Sequence, residues 1–278
     1  MAEVFANYIG GEWVTRAAVF ENRNPANTEE VVGSFVKGTG QDVEDAAAAA
    51  AAALPGWSGM SGPARGNILY RAADILEGKF ERISAEMTRE EGKTLPEARG
   101  EVRRSINIFR YFAGEGSRLP GMLVPSERDR VHMFALRKPV GVVGLITPWN
   151  FPSAIPAWKL APALICGDTV VLKPASAAPL SAWRLVEALD EAGVPKGVVN
   201  FVAGPGGELG RALVNAAPLK AVSFTGSCQT GNWLHREASK RRLRIQLEMG
   251  GKNPTIVLAD ADFTVSYTHL TLPTTPYV

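Results

Sequence analysis

The chain has 278 residues, 46% hydrophobic and 21% charged, with a formal net charge of +2. That is a soluble globular composition with room for one large α/β domain or two smaller ones. The charge is too small to draw the chain to nucleic acid or an anionic membrane by its field alone.

Two cysteines, Cys166 and Cys228, make no disulfide framework and point to a reducing, cytoplasmic setting. The stretch Met1–Tyr8 has neither the basic nor the apolar region of a secretion signal. Tyr8–Val14 places Gly10-Gly11 between two short apolar runs, a hairpin signal. The alanines 46–53 follow Asp42, Glu44 and Asp45; the run is too short to span a membrane and predicts a packed helix ended by Pro55-Gly56. Ile68, Leu69, Ala72, Ile75 and Leu76 recur at the spacing of a buried helix face. A second long helix is expected over Glu97–Phe112, with Val102, Ile106, Phe109 and Phe112 or Ala113 on one stripe. Its arginines Arg99, Arg103, Arg104 and Arg110 would lie mostly towards water. Leu119–Lys138 alternates through Val131–Leu136 and predicts a projecting strand or hairpin.

From Pro139 the rhythm changes. Val140–Ile146, Thr169–Leu172, Val198–Val202 and Ala221–Phe224 are continuous apolar runs, separated by helix-length segments Ile155–Cys166, Leu180–Ala192, Gly207–Asn215 and Thr230–Lys240. Such alternation predicts an α/β fold: a Rossmann-like, doubly wound parallel sheet covered on both faces, with right-handed crossovers. Arg236, Lys240, Arg241, Arg242 and Arg244 form a basic run. It reads as a solvated helix face, because no aromatic side chains interleave with the charges to stack bases. Beyond it, Thr264–Val278 holds five threonines and two prolines in fifteen residues, with no helical or strand period.

Four segments carry possible chemistry. Thr147–Pro152 joins a strand to a helix, where α/β proteins bind ligands, and its two prolines fix Asn150. A fixed amide N–H there either stabilises a developing oxyanion or caps the helix. Lys173 ends the next strand and either meets a ribose or phosphate or is a surface lysine. Phe224–Gly231 is a strand, glycine turn and helix start, either a phosphate cradle or a simple tight turn. Glu248 follows the strand Leu243–Leu247; in a half-buried pocket it would serve as a general base, and otherwise as an ion-pair partner.

Taken together, Ile146–Pro152, Val171–Ala175, Phe224–Ser227 and Leu247–Pro254 resemble the aldehyde dehydrogenase superfamily in order and spacing, over about Ala6–Phe263. The resemblance implies NAD(P)⁺-dependent oxidation of an aldehyde to an acid through a cysteine thioester. Asn150 would stabilise the oxyanion and Glu248 would activate the deacylating water. Ile146, Pro148 and Trp149 would line the cofactor cleft, Lys173 would contact the adenosine ribose, and Gly226 and Ser227 would approach the pyrophosphate. Gly206 and Gly210 would pack near the adenine, and Phe224, Thr225, Gly231 and Met249 complete the implied cofactor set. No metal is implied.

Ser176 stands where NAD-preferring relatives carry a glutamate, so a 2′-phosphate meets no repulsion and NADP⁺ would be accepted beside NAD⁺. The run Val140–Ile146 and Ala154–Lys159 resembles the α-ketoglutaric and succinate semialdehyde branches. The same resemblance makes residues 1–118 and 139–264 a discontinuous NAD(P)-binding domain and 119–138 an oligomerisation hairpin of a homodimer or homotetramer. It places the nucleophile thirty to forty residues after Glu248. Cys166 then reads as a small buried hydrophobe and Cys228 as part of the phosphate turn. On this reading the catalytic domain is absent, and 265–278 is a non-native tail on a fragment inactive by itself. The alternative is a shortened protein that binds nucleotide without turning it over.

Overall fold

The structure, a computed structural model, describes residues 3–251, 254, 256–262 and 264. The N-terminal third supplies a small sheet of β1 (Val4–Phe5), β4 (Val19–Asn24) and β5 (Asn27–Val36), and a hairpin of β2 (Asn7–Ile9) and β3 (Glu12–Val14). The Gly10-Gly11 turn is as expected. Four helices follow: α1 (Gly40–Gly59), α2 (Gly62–Gly78), α3 (Phe80–Glu91) and α4 (Leu95–Glu115). The apolar stripes of α2 and α4 are buried as their spacing predicts, through Leu69, Ala72 and Leu76 on one and Val102, Ile106 and Phe109 on the other.

One boundary differs. Helix α1 does not stop at Pro55-Gly56 but carries Pro55 inside it for another turn. Proline there gives up one backbone bond and strains the turn before it. The compensation is Trp57, fully buried, whose indole N–H donates to the Leu164 carbonyl at 3.1 Å.

The hairpin β6 (Met122–Pro125) and β7 (His132–Ala135) stands apart as a two-stranded antiparallel sheet, with every residue exposed. Behind it come β8 (Val142–Ile146), α5 (Ala154–Cys166), β9 (Thr169–Lys173), α6 (Leu180–Glu191), β10 (Val199–Phe201), α7 (Gly206–Asn215), β11 (Leu219–Gly226), α8 (Cys228–Lys240) and β12 (Arg244–Met249). The main sheet runs β12-β11-β8-β9-β10-β2-β3, parallel throughout except where β2 and β3 extend it antiparallel.

The sheet is doubly wound. Along β9, Val170 and Leu172 enter the core packed by α2, α4, α5 and α6, while Val171 enters the core packed by α1, α7 and α8. Strands β8 and β9 are therefore apolar at nearly every position, which is why their runs are continuous in the sequence. Cover thins towards the edge: along β12, residues alternate between half-buried and exposed. Cys166, expected to be buried, is exposed. The basic run also divides. Arg241 leaves the helix to donate to the Val214 and Ala216 carbonyls at 2.6 and 2.9 Å, closing the C-terminus of α7, and Arg244 opens β12.

Among the described residues no helix is long and apolar enough to cross a membrane. The segment 265–278 lies outside the described residues.

The exposed apolar side chains of the β6–β7 hairpin, Leu123 at 75% and Phe134 at 67%, form a sticky strand pair. The double substitution L123E/F134E is expected to lower concentration-dependent light scattering and leave the far-UV circular dichroism spectrum unchanged.

Candidate functional site

The strand order reverses between β8 and β11: the chain moves outward from β8 through β9 and β10, then returns to β8's other side. In doubly wound sheets the crevice beyond the carboxyl ends of the strands at such a reversal is where ligands sit. Here it is a cleft of about 630 Å³.

Of the residues expected at a cofactor, the cleft brings together Ile146, Lys173, Gly206, Gly210, Phe224, Thr225 and Gly226. Gly207 and Gly210 face open space: a Cβ added at either would meet nothing within 4 Å. Ser227 caps α8, its hydroxyl accepting from the Thr230 N–H at 3.3 Å, and the first turn of that helix borders the cleft through Gln229 and Thr230 beside Gly226. Lys173 is not a surface lysine. It is 5% exposed, donates to the Pro174 carbonyl at 2.6 Å, and desolvation pulls its pKa down to about 8. Thr147, 3% exposed, lines the cleft with a hydroxyl that has no partner among the described residues. Buried hydroxyls are rarely left unpaired, so this one marks room for a ligand atom. Open glycine walls, helix amides, a buried cation and an orphaned hydroxyl together fit a phosphate-bearing nucleotide.

Other expected residues lie outside the cleft. Trp149 and Ser176 line a neighbouring groove against Asn22 and Arg23 of β4. The Ser176 hydroxyl donates to the Gly204 carbonyl at 2.6 Å. Pro148, Ser227, Gly231 and Met249 do not line it. Gly231 has a packing role instead: a Cβ there would stand 2.2 Å from the Met249 sulfur, so glycine is what lets α8 lie against β12. Among the lining residues that sequence reasoning missed are Arg211 on α7 and Trp233 and Arg236 on α8, which stand about one to two turns into their helices.

The Thr147–Pro152 turn is held from beneath. Buried Glu101 of α4 accepts from the Ser153 and Ala154 N–H groups, both at 2.9 Å, and so caps α5 in Asn150's place. Lys93 pairs with Glu101 and donates to the Asn150 carbonyl at 3.1 Å. The Asn150 residue itself is exposed.

Glu248 is exposed, not half-buried. It sits near the end of β12, where its carboxylate accepts from the Gln246 amide at 2.9 Å. Gln246 in turn accepts from Ser223, and Lys159 of α5 donates to Ser223 at 2.7 Å. This polar chain runs across α5, β11 and β12 on the thinly covered face. Lys159, 9% exposed and held to a pKa of about 8 by desolvation against the pull of Glu248, had no signal in the sequence beyond being a cation in an apolar helix.

The sequence model of the Aldehyde dehydrogenase family matches residues 13–271. The chain belongs to the aldehyde dehydrogenase family. That match runs past Phe263, where the motifs were expected to end.

It is 48% identical over 260 residues to the α-ketoglutaric semialdehyde dehydrogenase of Bacillus subtilis, covering 93% of this chain and 53% of that protein. It is 45% identical over 264 residues to the α-ketoglutarate semialdehyde dehydrogenase of Haloferax volcanii, covering 94% and 55%. Among solved structures, betaine aldehyde dehydrogenase of Staphylococcus aureus in complex with NAD⁺ superposes with a TM-score of 0.87 at 37% identity, over 94% of this chain and 52% of that one. The chain thus spans about half the length of the relatives it matches.

Two measurements probe this site. Substituting Glu101→Ala leaves two buried N–H groups and Lys93 without their acceptor, and is expected to lower the urea-unfolding free energy by about 2–4 kcal/mol. Lys173 and Lys159 have folded pKa values depressed from the ordinary 10.5 to about 8. Above pH 8 the folded chain has released protons that the unfolded chain still binds, so stability rises with pH there. A gain of about 1–3 kcal/mol is expected between pH 8 and 10, flattened in the K159M/K173M double variant.

Proposed function

We propose that this chain binds NAD(P)⁺ in the β8–β11 cleft and belongs to an enzyme that oxidises a semialdehyde to a carboxylic acid. The observation that carries the reading is the cleft itself. In a member of this family, open glycines on α7, the α8 amides, buried Lys173 and the orphaned Thr147 hydroxyl converge at the strand reversal.

α-Ketoglutaric semialdehyde is the favoured substrate. It is named in the two relatives above, and the 2,5-dioxopentanoate dehydrogenase of Saccharolobus solfataricus, 43% identical over 245 residues, names the same five-carbon compound. Succinate semialdehyde is the shorter homologue. With no carboxylate at Ser176, the cleft admits NADP⁺ as well as NAD⁺.

The nicotinamide, when bound, accepts the hydride; the rest is done by side chains. Asn150, at the exposed end of a turn fixed by Lys93 and Glu101, offers its amide to an aldehyde oxygen that gains negative charge. Glu248 is oriented by Gln246 and open to solvent, so it takes a proton from an attacking water. Neither cysteine serves as the nucleophile. Cys166 lies at the far end of α5 from the Asn150 turn, about 18 Å along a thirteen-residue helix, and Cys228 lies in the first turn of α8, beside Gly250. The 278-residue chain therefore binds cofactor without oxidising aldehyde. The β6–β7 hairpin is the surface through which copies associate, as a homodimer or homotetramer of the cytoplasm.

Calorimetric titration of the chain with NAD⁺ and NADP⁺ tests the reading: saturable one-to-one binding is expected, and no reduction of cofactor on adding aldehyde. G207L and G210L point side chains into open space, so each is expected to weaken binding at least about tenfold with no fall in Tm. Unchanged affinity in both variants would place the nucleotide elsewhere.

A further inference from the structure

One cation beside the Asn150 turn has no counter-ion. A groove of about 620 Å³ runs between α4 and α5, lined by Arg103, Arg104, Asn107, Tyr111 and Phe112 of the first helix and Trp158 of the second. None of its lining residues is a carboxylate. Arg103 is taken up by Glu77 and lies over the Phe80 ring at 4.6 Å. Arg104 is exposed and makes no ion pair among the described residues; its guanidinium lies 5.7 Å from the centroid of the Trp158 ring.

Arg104 also borders a smaller groove with Glu91, Lys93, Glu97, Glu101 and Phe151. The three carboxylates there are already engaged. Glu91 and Glu101 pair with Lys93, and Glu97 accepts from the Thr94 N–H and hydroxyl at 3.0 and 2.7 Å. Lys93 is held by those two acids and by the Asn150 carbonyl. Arg104 is therefore the unmatched charge. A guanidinium over an aromatic face, beside a groove with aromatic walls, is a receptor for an anion with a short apolar body.

The place of the groove decides which anion. Glu101, three residues before Arg104, accepts the first N–H groups of α5, so Arg104 stands about 4.5 Å along α4 from the point that fixes the Asn150 turn. Phe151 of that turn borders Arg104 on one side. On the other, Trp158 also lines the cavity that contains Lys159 and Glu248. An aldehyde whose oxygen meets the Asn150 amide can thus run its tail along α4 towards Arg104. In 2,5-dioxopentanoate four carbon–carbon bonds part the aldehyde carbon from the carboxylate carbon, about 5 Å when extended. That span matches the step along the helix.

We propose that Arg104 reads the distal carboxylate of the semialdehyde, holding it in the α4–α5 groove against the Trp158 ring, and so sets a preference for carboxylate-bearing aldehydes over neutral ones. This rests on reading the Asn150 turn as the aldehyde end of the site. The planar fork of the guanidinium matches both carboxylate oxygens, and the indole behind it restricts where the fork can point.

Ligand-observed NMR titration of the 278-residue chain with 2,5-dioxopentanoate and with its methyl ester, which lacks the charge, tests the assignment. The unmodified chain is expected to bind the acid at least about tenfold more tightly than the ester, with the margin shrinking as salt is raised. R104Q is expected to lose about tenfold for the acid and to keep ester affinity within about twofold, with unchanged Tm; R104K, which keeps the charge without the fork, recovers only part of the loss. Equal binding of acid and ester by the unmodified chain would overturn the inference. So would an R104Q variant that loses both compounds equally, or neither. If neither compound binds while NAD⁺ does, the groove is not the aldehyde site and this inference fails with the cofactor cleft intact. If NAD⁺ fails to bind as well, the functional reading fails with it.

Discussion

The Glu101 carboxylate holds the site to the rest of the molecule. It comes from the second turn of α4, a helix that belongs to the N-terminal bundle, yet it accepts the first N–H groups of α5 and pairs with Lys93. Through these contacts the Thr147–Pro152 turn is fixed from outside the sheet, and with it the end of β8 and one wall of the cleft. The buried carboxylate is tolerable because it is fully engaged: two amides, one ammonium and the dipole of a thirteen-residue helix share its charge. The first hundred residues are thus part of the site's support, although they line little of it.

From that anchor the electrostatics divide into two zones. The cleft at the strand reversal is cationic and walled by glycine and amide groups, an environment for phosphate. Across β11, on the thinly covered face, the chain Lys159, Ser223, Gln246 and Glu248 carries one cation and one carboxylate through two neutral links. A phosphate held in the cleft would raise the proton affinity of a nearby carboxylate, and the sheet keeps the two zones apart.

Much of the sheet was legible in the sequence. Strands buried on both faces are apolar through their middles, as β8 and residues 170–172 of β9 are. Residues at the carboxyl ends of such strands are then placed by topology, so Ile146, Lys173 and Gly226, with Gly206 at the start of α7, fall in the cleft as their motifs suggest. What escaped was set by three-dimensional contact. Arg211, Trp233 and Arg236 lie on helix faces whose direction depends on how α7 and α8 lean on the sheet. Ser176 and Trp149 belong to loops pulled aside by β4, with Asn22 donating to the Ala177 carbonyl at 2.7 Å. The extension of α1 past Pro55 depends on a tryptophan reaching a carbonyl more than a hundred residues away. Glu248 looked half-buried because an apolar strand precedes it, but that strand is the last of the sheet and one of its faces is open.

The contact between Gly231 and Met249 has a chemical corollary. The thioether fills the space a methyl group would need on α8, and Met249 is partly open to solvent. Oxidation to the sulfoxide adds a polar oxygen where there is no spare volume. Helix α8, whose first turn borders the cleft, would then be levered off β12, the strand that carries Glu248. One oxidised sulfur would thus disturb both zones.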